Sequence, residues 1–420
     1  MGHEARQLHL FFFPLMAQGH TIPMIDIARL FAARGTKSTI ITTPLNAMHI
    51  AESIDEDKKS GLDIHVKIIS FPAVEAGLPE GCESFNSITS PEMSLKFFKA
   101  ADMLQQPFDK LLEEHRPDCV VADMFLPWTT DVAKKYGIPR LVFHGTGYFS
   151  LCVLERMFQY APQDKVMSDS EIFVVPGLPD KIEMKKLQLP NHDELNKKNA
   201  FTERRVKIQE TEVNSFGVLV NSFYELESAY AECYTKDLGR RAWSIGPVSL
   251  CNRNFIRKAQ RGMNASIDDE HYCLSWLDSK EPKSVLYVCF GSLSRFRTAQ
   301  LHEIAMGLEA SNIPFIWVVK MPLNKEKVQD QILPDGFEQR MQGNEVWNLW
   351  IEPENVSVTK DRIEEVVTEL MGNGEEARNR RKRAEEFAGM AKKAVEKGGS
   401  SYNNLSALIE ELRVHSQMKE

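Results

Sequence analysis

The segment that decides the fold reads Phe11-Phe-Phe-Pro-Leu-Met-Ala-Gln-Gly-His20-Thr-Ile-Pro-Met-Ile-Asp-Ile-Ala-Arg-Leu-Phe31. It predicts a buried strand over residues 9–15, a tight turn at Gly19 and an amphipathic helix over residues 23–33. Pro23 suits the first turn of that helix. His20 is therefore expected just past the carboxyl end of a strand, which is where ligands bind in open α/β sheets.

The first half of the chain continues to alternate between strands and helices. Further strands are predicted at residues 38–42, 64–70, 119–122, 140–143 and 216–221, and further helices at 91–115, 128–136, 201–214 and 225–236. Residues 161–199 are polar and proline-bearing, which favours a loop or lid beside a pocket. The alternation predicts the α/β class with a doubly wound parallel sheet.

The second half has too few strands for its helices. After a polar stretch at residues 251–269, strands are predicted only at 284–290, 315–319 and 346–351, whereas helices are predicted at 298–310, 359–371, 375–397 and 400–413. A parallel sheet needs helices on both faces, and the helices in turn need a sheet to cover. The pattern therefore indicates an unbalanced second domain.

Composition limits the class of protein. The chain has 420 residues, enough for two domains, and its net charge of −8 argues against a nucleic-acid binder. Seven cysteines without a CxxC pair predict reduced thiols and a cytoplasmic protein. No apolar run is long enough to insert into a membrane, and a signal peptide at residues 8–17 is the minor alternative. Oligomeric state cannot be predicted from these features.

His20 and Asp123 are the candidate catalytic pair. A helix N-terminus disfavours an imidazolium, so the His20 ring should be neutral and able to accept a proton. Asp123 follows the apolar run Cys119-Val-Val-Ala, at the same predicted sheet edge, and would bond the far ring nitrogen. The alternatives are a structural histidine at a helix start and an aspartate that caps the helix near Trp128.

Two further strand ends carry candidate binding residues. Gly291 and Ser292 follow a strongly apolar strand, where amides and a hydroxyl suit a phosphate, although a plain turn is the alternative. His144 and Thr146 end another strand and either line a pocket or simply pack. The chain lacks a G-x-G-x-x-G after its first strand and lacks a P-loop, which disfavours a dehydrogenase and a P-loop NTPase.

From Phe11 to about Gly343 the chain resembles the plant secondary-metabolite UDP-glycosyltransferases, an inverting family with the GT-B fold. The resemblance also includes the tail at residues 378–416. It is carried by Gln18-Gly19-His20-Thr-Ile-Pro-Met-Ile-Asp26, Val121-Ala-Asp123-Met-Phe-Leu-Pro-Trp128, Ile138-Pro-Arg-Leu-Val-Phe-His144-Gly-Thr146, Val220-Asn-Ser-Phe-Tyr-Glu-Leu-Glu227, Trp276-Leu-Asp-Ser-Lys280, Ser284-Val-Leu-Tyr-Val-Cys-Phe-Gly-Ser292 and Gly398-Gly-Ser-Ser-Tyr402.

The resemblance implies two Rossmann-like domains that face a cleft. Residues 1–240 would form the acceptor-binding domain and residues 241–270 the linker. Residues 271–399 would form an incomplete donor-binding domain, and residues 400–420 a helix that packs back on the first domain.

The resemblance also implies the reaction. His20, with Asp123, would take a proton from an acceptor hydroxyl, whose oxygen would attack the sugar of a UDP-sugar with inversion. Gly291 and Ser292 would lie by the donor diphosphate, while Gly19, His144 and Thr146 would line the acceptor site. The acceptor would be a small triterpenoid, steroid or flavonoid, and the sugar glucose. The family needs no metal and no cofactor besides the UDP-sugar co-substrate.

The chain departs from this family in one place. The family's donor-binding box opens Trp-Ala-Pro-Gln and continues through His-Cys-Gly-Trp-Asn-Ser, and neither sequence occurs here. The chain passes directly from Gly343 to Asn344, a loss on the order of 60 to 70 residues or two βαβ units. Trp347 and Trp350 are the remaining candidates for a uracil stack. We therefore expect impaired transfer, and the alternative is a non-catalytic truncated isoform or an acceptor-binding relative.

Overall fold

The strand that precedes His20 lies inside a seven-stranded parallel sheet. In the computed structural model, the described residues are 6–189, 200–252, 267–291, 296–318, 333–334, 336–337, 345–347 and 358–418. The strands of this first sheet are β1 (His9–Phe13), β2 (Lys37–Thr42), β3 (Ile64–Ile68), β4 (Cys119–Asp123), β5 (Arg140–Phe143), β8 (Gly217–Val220) and β9 (Ala242–Ser244), in the order β3-β2-β1-β4-β5-β8-β9. The spatial order reverses between β1 and β4, which is the switch point of a doubly wound sheet.

Helices connect these strands in the predicted alternation. They are α1 (Gln18–Ala32), α2 (Pro44–Lys59), α3 (Ala73–Ala76), α4 (Pro91–Met103), α5 (Gln105–His115), α6 (Thr129–Lys135), α7 (Tyr148–Tyr160), α8 (Ala200–Val213) and α9 (Tyr224–Glu232). A separate antiparallel hairpin is formed by β6 (Ile172–Val175) and β7 (Ile182–Lys185).

Both faces of the sheet are buried, which explains the continuous apolar run of β1. Phe11 and Phe13 lie in a core that includes Phe108 and Trp128. Leu10 and Phe12 point to the opposite core with α1 and the last helix, α14 (Ser400–Gln417). A strand buried on both faces has no need for polar alternation.

The chain divides into two compact units, one of residues 1–261 with 387–420 and the other of residues 262–386. Within the first unit, α14 buries Leu405, Leu408, Ile409 and Leu412 in the core that holds Leu10. Strand β9 lies in the range that the sequence predicts as linker, yet it pairs in parallel with β8 in the first unit's sheet.

The second unit has its own parallel sheet of three described strands. These are β10 (Leu286–Cys289), β11 (Phe315–Val318) and β12 (Glu345–Trp347), in that order. Its helices are α10 (Ile267–Asp278), α11 (Thr298–Ala310) and α12 (Lys360–Met371), and α13 (Glu375–Val395) runs across the boundary into the first unit. Trp317 and Phe337 are buried in its core, with α11 packed on one side.

Two helix predictions were wrong in detail. Helix α1 begins at Gln18 and not at Pro23, so Gly19 lies in its first turn and Pro23 lies inside it. A proline there removes a single hydrogen bond close to the helix start. The helix predicted over residues 91–115 is two helices, α4 and α5, which meet at Leu104. Pro107 explains this break, because its nitrogen carries no hydrogen to donate to the carbonyl of Met103.

Candidate active site

His20 lies in the first turn of α1, directly after the loop that leaves β1. The extended backbone of Ala17 precedes this turn, and the Ala17 carbonyl accepts from the amide of His20 at 2.9 Å. The helix therefore fixes the backbone of His20 while its side chain remains 23% exposed. That partial exposure gives an external hydroxyl access to the ring.

Asp123 is the last residue of β4, and its side chain is fully buried. Its Oδ2 atom lies 2.6 Å from Nδ1 of His20, and its Oδ1 accepts from the amide of Phe125 at 3.0 Å. A carboxylate only accepts, so Nδ1 carries the ring proton and Nε2 keeps its lone pair. The pair has the arrangement that a general base requires.

Burial and the neighbouring carboxylate act on His20 in opposite directions. Burial by itself lowers the pKa of His20, whereas the hydrogen bond and the charge of Asp123 raise it, and the net result is a pKa above 6.5. The imidazolium that forms when the ring accepts a proton is thus stabilised by Asp123. This is the electrostatic contribution expected of a partner carboxylate.

Aromatic rings form a wall beside His20 that the sequence interpretation missed. The Phe125 ring lies edge-on to the His20 ring with centroids 5.7 Å apart, and Phe98 follows at 5.6 Å from Phe125. The guanidinium of Arg204 on α8 lies 4.7 Å from the centroid of the Phe98 ring and donates to the Phe125 carbonyl at 3.1 Å. The sequence signal that could have predicted this wall is the aromatic residue at position 125, two residues after Asp123.

The predicted acceptor residues lie in different surroundings. Gly19 is exposed in the first turn of α1. His144, at the end of β5, is buried, and its Nε2 lies 2.5 Å from Oε2 of Glu212 on α8. Thr146 is exposed and follows Gly145, whose φ of +78° is left-handed. Of these three, Gly19 and Thr146 offer exposed positions, and the ring of His144 is engaged by Glu212.

The carboxylate of Glu227 binds the start of helix α7, which follows Thr146 in the chain. Glu227 Oε2 accepts from the amide of Tyr148 at 3.0 Å, and Oε1 accepts from the amide of Phe149 at 2.9 Å. These are the first two amides of α7, where a negative charge is favoured. A Cβ at Gly147 would lie 2.5 Å from this carboxylate, so glycine is required there. The Val220–Glu227 motif had no assigned role in the sequence interpretation.

The predicted donor residues are only partly described. Gly291 follows β10 with a φ of +83°, a left-handed turn that favours glycine. Ser292 lies outside the described residues, as does Trp350. The structure therefore describes the turn at Gly291 and leaves the position of the Ser292 hydroxyl as a sequence prediction.

Comparison with known proteins places the chain in its class. No model of a protein family matches it. A solved glycosyltransferase of Glycyrrhiza uralensis, complexed with glycyrrhetinic acid 3-O-monoglucuronide, superposes with a TM-score of 0.87 at 35% identity and covers 99% of this chain and 97% of that one. A Medicago truncatula enzyme with UDP-glucose superposes at 0.77 and 18% identity, over 98% of this chain and 99% of that one, which shows the fold alone. The fold is GT-B, as predicted.

Sequence relatives then define the family. Tobacco scopoletin glucosyltransferase is 44% identical over 98% of this chain and 99% of its own length. The strawberry (Fragaria ananassa) UDP-glucose flavonoid 3-O-glucosyltransferase 7 is 41% identical over 97% of each chain. The chain belongs to the plant UDP-glycosyltransferases, as the motifs around His20 and Asp123 predict. Within the described ranges, no helix is both long and apolar enough to cross a bilayer.

Proposed function

We propose that this chain acts on the hydroxyl of a small lipophilic plant metabolite, with His20 as the base of an inverting sugar transfer from a UDP-sugar. The 2.6 Å contact between His20 and Asp123 is the observation that carries the proposal. It leaves Nε2 of His20 as the proton acceptor, on a ring that is partly exposed beside the aromatic wall of Phe125.

The bond changes follow from this arrangement. Nε2 of His20 takes the hydroxyl proton as the acceptor oxygen forms a bond to the anomeric carbon of the sugar. The bond from that carbon to the diphosphate breaks on the opposite face, and UDP leaves with the electron pair. Asp123 stabilises the resulting imidazolium, which then releases its proton to solvent. Glucose as the sugar, and a triterpenoid, steroid or flavonoid as the acceptor, are the proposed substrates.

The donor side is proposed to be weakened. The alignment with tobacco scopoletin glucosyltransferase has 475 positions, but it contains only 98% of the 420 residues of this chain. Roughly 60 of the aligned positions therefore have no counterpart in this chain. That number agrees with the predicted loss between Gly343 and Asn344. With the donor box absent, Gly291 and Ser292 are the remaining proposed diphosphate contacts, and we expect slow transfer.

The second candidate function is acceptor binding without transfer. It is favoured by the same absence of the donor box, combined with a first unit whose seven-stranded sheet and His20–Asp123 pair are described. In this proposal the first unit binds the acceptor, and the second unit retains the remaining affinity for the donor. We also propose a cytoplasmic location, which the seven free cysteines support.

One experiment separates the two functions. Purified chain is incubated with UDP-glucose and scopoletin, a flavonol or a triterpenoid alcohol, and UDP release is measured. We expect slow release, and His20→Gln should reduce it at least ~100-fold. His65→Gln is the matched control, because His65 also pairs with an aspartate, Asp63, but at an exposed surface site.

Each outcome has a defined meaning. Acceptor binding in calorimetry without UDP release would select the acceptor-binding function. UDP release that His20→Gln leaves intact would refute the role of His20 as base. A folded chain that neither binds an acceptor nor releases UDP would overturn both proposals.

A further inference from the structure

Arg140 is a buried cation that contacts the catalytic pair from inside the protein. It is the first residue of β5 and only 3% exposed. Its Nη2 donates to the main-chain carbonyl of Asp123 at 2.9 Å, and its Nη1 donates to the hydroxyl of Thr130 on α6 at 2.8 Å. The side chain thus joins the neighbouring strand at Asp123 to the helix that follows it.

The charge of Arg140 is not used in a direct ion pair. Both of its acceptors are uncharged, and no ion pair to this guanidinium occurs among the residues that the structure describes. Three carboxylates face it from separate elements, Asp123 on β4, Glu212 on α8 and Asp131 on α6. Burial lowers the pKa of Arg140 to about 10 against the effect of these carboxylates, so the group stays charged at neutral pH.

A fixed positive charge at this place acts on the proton of the pair. Asp123 uses Oδ2 for His20 and Oδ1 for the Phe125 amide, and its carbonyl accepts from both Arg140 and the Leu126 amide, so every acceptor group of the residue is engaged. Charges in a protein interior interact over several ångströms with little screening. A cation that contacts the main chain of Asp123 therefore opposes the imidazolium form of the neighbouring His20 ring.

We propose that Arg140 is a positioning residue of the proton-transfer pair: it fixes the main chain at Asp123, and its charge limits how tightly the pair holds a proton. The proposal rests on the proposed roles of His20 and Asp123. Its consequence is that His20 remains a neutral base over more of the physiological pH range than the Asp123 contact alone would permit.

The test measures the pKa of His20 by NMR in the full chain, with the His20 signal assigned by its loss in His20→Gln. Arg140→Met and Arg140→Gln remove the charge, and we expect the His20 pKa to rise by about one unit in each. Arg140→Lys keeps the charge and should stay within about 0.3 unit of wild type. Thr130→Val removes the hydroxyl partner of Arg140, together with the 3.3 Å bond of that hydroxyl to the Thr211 carbonyl, and should also leave the His20 pKa unchanged.

Other results overturn the proposal. A His20 pKa that stays constant or falls in the folded neutral variants would show that the charge of Arg140 does not act on the pair. Failure of both neutral variants to fold, while Arg140→Lys folds, would assign Arg140 to structure alone. The titration needs neither donor nor acceptor, so it is independent of sugar transfer, and loss of the proposed function would leave its result readable.

Discussion

The Nδ1 atom of His20 lies 2.6 Å from Oδ2 of Asp123, although 103 positions separate the two residues in the sequence. Strand β4 pairs directly with β1, and the register places Phe13 opposite Ala122, one residue before Asp123. The carboxyl ends of the two strands therefore meet at one edge of the sheet, and the first turn of α1 brings His20 to the same edge. Sheet order, and not sequence proximity, creates the pair.

The first prediction concerns the proton affinity of His20. Replacing Asp123 by asparagine removes the charge that raises the pKa of His20 and leaves burial, which lowers it. We expect the His20 pKa to lie above 6.5 in wild type and below 6.5 in Asp123→Asn, measured by NMR titration. Asp63→Asn, which alters the exposed partner of His65, should leave the His20 signal unchanged.

The same shift predicts how stability depends on pH. The folded-state pKa of His20 is raised above its unfolded value of 6.5, so the folded chain binds this proton more tightly. The resulting stabilisation is complete below the unfolded pKa and is lost as pH rises through the folded pKa. The stability advantage of wild type over His20→Gln should therefore be larger at about pH 5.5 than at about pH 8.5 in urea titrations. An advantage that grows with pH would contradict the assignment.

The third prediction concerns the cap that Glu227 provides to α7. Its carboxylate accepts the amides of Tyr148 and Phe149, so Glu227→Ala should lower the free energy of unfolding by about 1–2 kcal/mol. The control is Glu225→Ala on the same helix. The hydrogen bond between Glu225 and Ser400 is exposed, so this substitution should change the free energy of unfolding by less than about 0.5 kcal/mol. Denaturant titration measures both changes.

A double-mutant cycle tests whether Gly147 and Glu227 act together. Gly147→Ala would place a Cβ 2.5 Å from the Glu227 carboxylate and displace it from the α7 amides. Once Glu227 is alanine, that clash no longer exists, so Gly147→Ala should cost clearly less in the Glu227→Ala background. Additive costs for the two substitutions would mean that the glycine serves a different purpose.

The sequence predicted the structure correctly where the hydrophobic pattern was local and strong. The apolar run of β1, with Phe11 and Phe12 facing opposite cores, could only be a strand buried on both faces. Matching strand ends then predicted that His20 and Asp123 face one edge. Local glycine and proline signals were less reliable, because Gly19 and Pro23 fit a helical first turn as well as the turn before a helix.

Contacts between residues far apart in the chain could not be predicted from the sequence. Arg140 reaches the carbonyl of Asp123, and Glu227 reaches the amide of Tyr148 across 79 positions. Both bonds depend on how far a long side chain extends between elements that tertiary packing brings together. Secondary-structure propensity and hydrophobic periodicity carry no information about such distances. These contacts could therefore be identified only from the structure.

A further prediction tests the packing of the last helix. Leu408 on α14 is fully buried beside Leu10 and Phe12, so Leu408→Ala should destabilise the chain by about 2–5 kcal/mol. Val414→Ala on the same helix, where the side chain is 54% exposed, should change stability by less than about 0.5 kcal/mol. Equal effects of the two substitutions in denaturant titrations would show that α14 does not contribute to the core in solution.

The last prediction concerns the proposed loss of the donor segment. If weak donor binding limits the reaction, then inserting the corresponding segment of tobacco scopoletin glucosyltransferase between Gly343 and Asn344 should restore it. We expect the chimera to raise UDP release at least ~100-fold over the natural chain, with scopoletin as acceptor, because the first unit already holds the His20–Asp123 pair. The control is the same chimera carrying His20→Gln, which should lose that gain. A folded chimera that binds UDP-glucose and scopoletin but releases no UDP would show that the first unit, and not the donor segment, limits the reaction.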